Sequence, residues 1–223
     1  MAPVRFKNGR AQRGEQPLVL VAAAWEIPAT AATARAAARE LAAEGFSGLA
    51  VAGNDAACLA LAVDAARRAG LALLVAAAEV PVAPHVAAWR PAEGWAEDVA
   101  TAYALALSGA PQIVGPPDEV AGLARYLAWF EQPAELTPGA AAGWLLASSA
   151  QECGAFTADG GELTLEVAPD QALHWIDPES GDLLAVSQTH GDEPQTVRLP
   201  PGEAMALYVG PLRYTPDETP TRP

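Results

Sequence analysis

From residue 17 to about residue 132, short apolar runs alternate with longer stretches of helical periodicity. "PLVLVAAAW" (17–25), "FSGLAVAG" (46–53), "LALLVAAAE" (71–79) and "PQIVG" (111–115) have the length of buried strands. Four helical stretches follow them, over 30–45, 55–70, 94–109 and 116–132. Thr30 or Thr33 can cap the first helix and Gly45 can close it. Arg67, Arg68 and Gly70 suit the end of the second, and Pro117 suits the first turn of the fourth. This alternation predicts a parallel sheet covered by helices, with right-handed crossovers. Four strands make a small open sheet or part of a (β/α) barrel, and are too few to close an eight-stranded one.

The period changes at "PAELTPGAA" (133–141). Beyond it come short alternating segments such as "ELTLEVA" (162–168), "QTVRLP" (195–200) and "AMALYVG" (204–210). Asp-Gly-Gly, Pro-Asp, Asp-Pro-x-x-Gly and Pro-Pro-Gly turns punctuate them, which predicts an antiparallel sandwich. The expected fold is therefore α/β: a partial (β/α) barrel-like parallel sheet over 1–135, a small antiparallel β-sandwich over 136–213, and a loose tail over 214–223. In "HWIDPESGDLLAV" (174–186), Asp177 can bond the backbone ahead of it, Pro178 presets φ and Gly181 returns the chain. Trp175 shares a face with Leu173, and His174 shares the other with Ile176. One of those faces must pack on the second sheet or on the α/β part. His174 and His190 read as surface residues.

Charge narrows the functional classes. The net charge of −14 repels phosphate backbones, which disfavours nucleic acid as a partner. Against that background Arg5, Lys7, Arg10 and Arg13 form a basic N-terminal arm, either solvated or set against an acidic partner. Cys58 and Cys153 stand alone and read as two buried free thiols. His85, His174 and His190 lack ligand spacing, and no glycine-rich phosphate loop is present, so neither a metal nor a cofactor is expected. No apolar run has membrane-spanning length, and no signal-peptide core follows the first residues; a cytoplasmic or particle-associated protein is expected.

The C-terminal half resembles the small sandwich that follows the barrel in apiosidase-like glycoside hydrolases. The resemblance rests on Trp175-Ile176-Asp177-Pro178-Glu179-Ser180-Gly181, on Leu199-Pro200-Pro201-Gly202-Glu203, and on the closing strand Met205-Ala206-Leu207-Tyr208-Val209. Upstream, "EDVATAYALALSGAPQIVG" (97–115) and "ARYLAWFEQPAEL" (124–136) are similar to the last barrel segments and the hand-over helix of that family. "AAEGFSGLAV" is similar to its opening. The family barrel has eight βα units, whereas four are visible here. The resemblance implies a glycosidase-derived frame and carbohydrate as ligand.

In a βα sheet, chemistry gathers at the C-terminal ends of strands, and three strands here end near a carboxylate: Glu26, Asp55 and Glu79. Glycosidases need two such groups, and neighbouring strands can place them at a working separation. Glu79 and Glu26 are the candidate catalytic pair. Glu79 ends the third strand, or stands for a later barrel strand. Asp55, Trp25, Trp89, Trp95 and His85 are candidate substrate-binding residues, since aromatic rings over a rim are a platform for sugars. Each has a plainer reading: Asp55 as the cap of the next helix, Trp25 as a lid, Trp89 and Trp95 as packing. Two functions follow. One is a glycoside-hydrolase-related protein that binds or acts on carbohydrate, with loss of activity favoured. The other is a non-catalytic assembly subunit of a cell surface or virus-like particle, its sheet edges covered by a second copy or a protein partner. A small nucleotide-using enzyme is disfavoured by the missing phosphate loop.

Overall fold

A computed structural model describes residues 2–53, 55–91, 93–188 and 194–212. The expected tail and His190 lie outside the described residues.

The chain begins with an antiparallel meander, β1 (Val4–Lys7), β2 (Arg10–Arg13) and β3 (Gln16–Pro17). Asn8 and Gly9 form the first turn, both with positive φ, as a two-residue hairpin of this twist requires. The basic arm is thus a folded hairpin. Arg5, Lys7 and Arg10 face solvent, while Val4 and Ala11 are buried.

Five parallel strands follow: β4 (Leu20–Ala24), β5 (Gly48–Ala52), β6 (Ala72–Ala76), β7 (Val86–Ala88) and β8 (Gln112–Gly115), in the order β7-β6-β5-β4-β8. The last strand pairs with the first, as in a barrel. The helices are α1 (Ala31–Ala43), α2 (Ala56–Ala69), α3 (Val99–Leu107) and α4 (Pro117–Leu127). Thr30 caps α1, accepting from Thr33 N–H, and Gly70 ends α2 in the left-handed conformation. Residues 94–98, expected in the third helix, lie outside it; Asp98 caps α3 instead. Trp95 forms a parallel bridge with Val114 of β8, and Gly94 permits it, because a Cβ there would collide with the Gln112 carbonyl.

That bridge adds a sixth lane beyond β8. In a flat sheet, lanes spaced by about 4.8 Å would hold the backbones of Trp89 and Trp95 roughly 24 Å apart. Trp89 follows β7 directly, yet its ring stacks on Trp95 with centroids 6.3 Å apart. The sheet therefore curls until its edges meet at the C-terminal rim. Packing agrees with this curvature. Leu49, Val51, Leu73 and Val75 point outward onto α1 and α2, and Val21 and Ile113 share a core with α3 and α4. The inward face is small: Ala22, Ala50, Ala72, Leu20 and Leu74, closed by Trp89 and by Val4 and Ala11 of the hairpin. Val4 N–H donates to Gly70 O (3.1 Å) and Phe6 N–H to Pro84 O (2.7 Å), which seats the hairpin beside the N-terminal ends of β6 and β7. The α/β part is a partial (β/α) barrel with its bottom plugged by its own N-terminus.

On its outer surface, Asp64 of α2 ties the first two helices together. It accepts from Arg35 of α1 (2.7 Å), and from Arg67 and Arg68 of its own helix (2.9 Å each). Arg68, then Arg67 and Arg35, hold its carboxyl well below the usual carboxylate range. A depressed folded-state pKa stabilises above the unfolded value, near 3.9, and that stability is lost as pH falls toward the folded value. Asp64→Asn is expected to lower the melting temperature at pH 7, with the gap to wild type narrowing as pH drops below about 4; thermal melts across pH check this.

After a short 3-10 turn at Pro133–Glu135 comes the sandwich. Its strands are β9 (Thr137–Ala141), β10 (Trp144–Ser148), β11 (Cys153–Thr157), β12 (Gly161–Leu165), β13 (Gln171–Ile176), β14 (Leu183–Gln188), β15 (Gln195–Leu199) and β16 (Met205–Pro211). Six form one antiparallel sheet, β14-β13-β16-β11-β10-β9, and β12 and β15 form the second. Period-two alternation splits the large sheet's faces. Trp144, Leu173, Leu207 and Val209 meet Leu163 and Val197 of the small sheet. Phe156, Ile176, Ala206 and Tyr208 point the other way, into the core of α3 and α4. Both faces of the β13 hairpin arm are therefore buried. His174 is fully buried beside Trp129 and Tyr208, not at the surface, because α4 and the chain after it cover that face.

The two halves lock through polar as well as apolar contacts. Tyr126 OH donates to Leu207 O (2.8 Å), and Tyr208 OH donates to Glu152 Oε1 (2.6 Å). Glu152 also accepts from Glu131 N–H (3.1 and 3.2 Å), so its buried carboxylate is hydrogen-bonded. The Asp177–Gly181 turn rests on α4: Asp177 Oδ1 accepts from Glu179 and Ser180 N–H (2.8 and 2.9 Å), and Arg125 donates to Ser180 O (3.0 Å).

Candidate functional site

A cleft of about 800 Å³ opens at the C-terminal ends of the parallel strands. Ala50 and Ala52 of β5 and Ala24 of β4 are among its lining residues, and their small side chains leave the room. Around them stand Trp25, Trp89, Trp95 and Glu26. Each occupies this rim because it follows a strand end or lies beside β8: Trp25 and Glu26 follow β4, Trp89 follows β7, and Trp95 bridges β8. Trp89 is 8% exposed, and its indole N–H is spent on Glu93 O (3.0 Å); the overlying Trp95 is 40% exposed and offers its ring to solvent. Trp25 is half-buried and Glu26 exposed.

Asp55 also lines the cleft, as the cap of α2. It accepts from Cys58 N–H at 2.8 Å, and this bond holds its carboxyl below the ordinary range. The same carboxylate raises the Cys58 thiol. Cys58 is exposed in the cleft and Cys153 is half-buried, so the expectation of two buried thiols does not hold. A thiol one turn into a helix that starts at a strand end faces the rim, which a reading based only on helix composition does not register. Burial pushes Cys153 up to about 11.

The other sequence-predicted site residues lie elsewhere. Glu79 follows β6 by three residues and is exposed in a separate groove with Asp64, Arg67 and Val80. His85 is buried at the N-terminal side of β7, its Nε2 3.1 Å from Val63 O. The cleft thus gathers Trp25, Glu26, Asp55, Trp89 and Trp95, and leaves out Glu79 and His85. Sequence reasoning overlooked Pro91, Pro116, Pro117 and Leu59, which complete its walls. Pro116 and Pro117 directly follow a strand, and that position was the available signal.

Among the described residues, no group of three or more His, Cys, Asp or Glu is placed to hold a metal ion. Among the same residues, no helix is long and apolar enough to cross a membrane.

No protein-family model matches the chain, and no curated protein matches it. Among solved structures, the chain is similar to one described as a "putative alpha-N-acetylgalactosaminidase" from Bacillus halodurans. Identity is 10%, the TM-score is 0.32, and the match covers 81% of this chain and 62% of that one. The chain thus spans less than two thirds of the length of that structure.

Proposed function

We propose that the protein binds carbohydrate in the rim cleft on a glycosidase-derived frame, without hydrolysing it. The observation that carries this reading is the placement of three tryptophans and Glu26 around one cleft at the strand ends, with Glu79 outside it. Exposed aromatic faces stack on the apolar faces of sugar rings. Glycoside hydrolysis also needs a protonated acid opposite a second carboxylate. Asp55, the other acid in the cleft, caps α2, and that bond holds its carboxyl below the ordinary range, which suits it poorly to the acid's role. The resemblance of Trp175–Gly181 and Leu199–Glu203 to the apiosidase-like sandwich fits a shared origin and leaves the chemistry aside. The test is calorimetry with a panel of neutral and amino oligosaccharides, beside an assay for released reducing ends. Saturable binding without hydrolysis is expected, and Trp95→Ala should weaken it at least about tenfold, or roughly 1.4 kcal/mol. Turnover by the wild type would end this reading.

A second reading, an assembly subunit, is favoured by one observation. β14 sits at the edge of the six-stranded sheet with no charged residue in Leu183–Gln188, and Leu184 is 55% exposed. An uncharged edge strand is a template for pairing, and an antiparallel edge can pair with its own copy about a two-fold axis. Light scattering over a concentration series should show a dimer that Leu184→Lys dissociates; a concentration-independent monomer counts against it.

A further inference from the structure

The rim cleft has a one-sided supply of hydrogen-bonding groups. Among the described residues that line it, the only charged side chains are Glu26 and Asp55; none is basic, and none carries a hydroxyl or carboxamide. The Trp89 N–H is occupied, so among these described residues the side-chain donors left are the Cys58 thiol and the indoles of Trp25 and Trp95. A sugar hydroxyl both donates and accepts, and a cleft that mainly accepts satisfies half of that capacity. An ammonium group donates three hydrogen bonds and accepts none. It is also attracted to the faces of aromatic rings, indole most strongly. The chain's charge of −14 adds a field that concentrates cations near its surface.

We propose that the ligand of this cleft is a saccharide carrying a free amino group, bound as its ammonium ion between the Glu26 carboxylate and the tryptophan faces. This rests on the carbohydrate reading above and names its substrate class. Glu26 is the suited partner because it is exposed at the rim, whereas one oxygen of Asp55 is already taken by the α2 backbone. N-acetylation would remove both the charge and the donors. Added salt would weaken the attraction, since the cleft is open to solvent.

The test is calorimetry of the intact protein with three trisaccharides of equal length: β-linked glucosamine, its fully N-acetylated form, and the neutral glucose counterpart. Each is measured at low and moderate salt, with wild type, Glu26→Gln and, as a control for the acidic surface, Glu203→Gln. Glu203 is exposed on a sandwich turn away from the cleft. The amine-bearing trisaccharide should bind at least tenfold tighter than the other two. Glu26→Gln should lose about tenfold and Glu203→Gln nothing. Equal or tighter binding of the acetylated or neutral trisaccharide overturns the amine proposal and leaves carbohydrate binding standing. Equal losses in Glu26→Gln and Glu203→Gln also overturn it, because the attraction then belongs to the whole acidic surface. Absence of binding by all three ends the carbohydrate reading itself.

Discussion

Removal of residues 2–17 is expected to abolish soluble, cooperatively folded protein. The hairpin is the plug of the partial barrel. Val4 is fully buried, Phe6 is half-buried, and together they forfeit about 3 kcal/mol of apolar burial when lost. The larger effect is on what they cover. Leu20, Ala22, Ala72 and Leu74 are fully buried on the inward face, and loss of the hairpin would open that face to water. A domain of ordinary stability has only about 5–15 kcal/mol in reserve. The deletion should show raised binding of an apolar dye and a broad, low-temperature melt. Arg5→Glu, Lys7→Glu and Arg10→Glu together reverse the exposed charge and should move stability by less than about 0.5 kcal/mol per site. That pair of results separates a hairpin acting by its buried face from a basic arm acting by its charge.

Gly122→Leu is expected to be the most damaging single substitution at the junction of the two halves. Gly122 lies within α4, where glycine costs helix stability, so its presence there calls for a packing reason. A Cβ at this position would collide with the carbonyl oxygens of Pro178 and Glu179. Across the contact, a Cβ on Gly181 would meet Arg125 Cβ at 2.6 Å and the Gly122 carbonyl at 2.7 Å, and Gly181 has φ +73°. Helix backbone and turn backbone touch directly, so a side chain can only part them. Overpacking of this kind costs about 3 kcal/mol where neither side can yield. The loss should spread into the shared core of Tyr103, Tyr126, Phe156 and Tyr208, where Tyr103 and Phe156 stack at 4.6 Å. Chemical denaturation should give a lower midpoint. A change in slope as well would mean that the sandwich and the partial barrel no longer unfold together.

Much of this architecture is legible in the chain because its signals are local. The caps at Thr30 and Asp55, the strand runs and the period-two sandwich all follow from neighbours within a few residues. Asn8-Gly9 was legible too, as a hairpin turn between short alternating runs, though the four cations around it draw attention to charge instead. Other features are not local. β7 has three residues between prolines, too short for any periodicity, and becomes a strand only because β6 lies beside it. Trp95 leaves the expected helix because Val114 offers it a bridge, and that pairing depends on a curvature no window of sequence contains. Likewise, alternation places His174 and Ile176 on one face but cannot tell whether that face meets water or α4. At the site, strand-end logic finds Trp25, Glu26 and Asp55. It also selects Glu79, although the two residues between β6 and Glu79 are enough to carry that carboxylate away from the cleft.

The six tryptophans divide cleanly for a direct test: Trp25, Trp89 and Trp95 line the rim cleft, while Trp129, Trp144 and Trp175 belong to the junction and the sandwich. With tryptophan nitrogen-labelled protein titrated with the glucosamine trisaccharide, indole N–H shifts confined to Trp25, Trp89 and Trp95 are the expected result. Shifts centred on Trp144 or Trp175, or no shift at saturating sugar, would contradict a carbohydrate site at the strand ends.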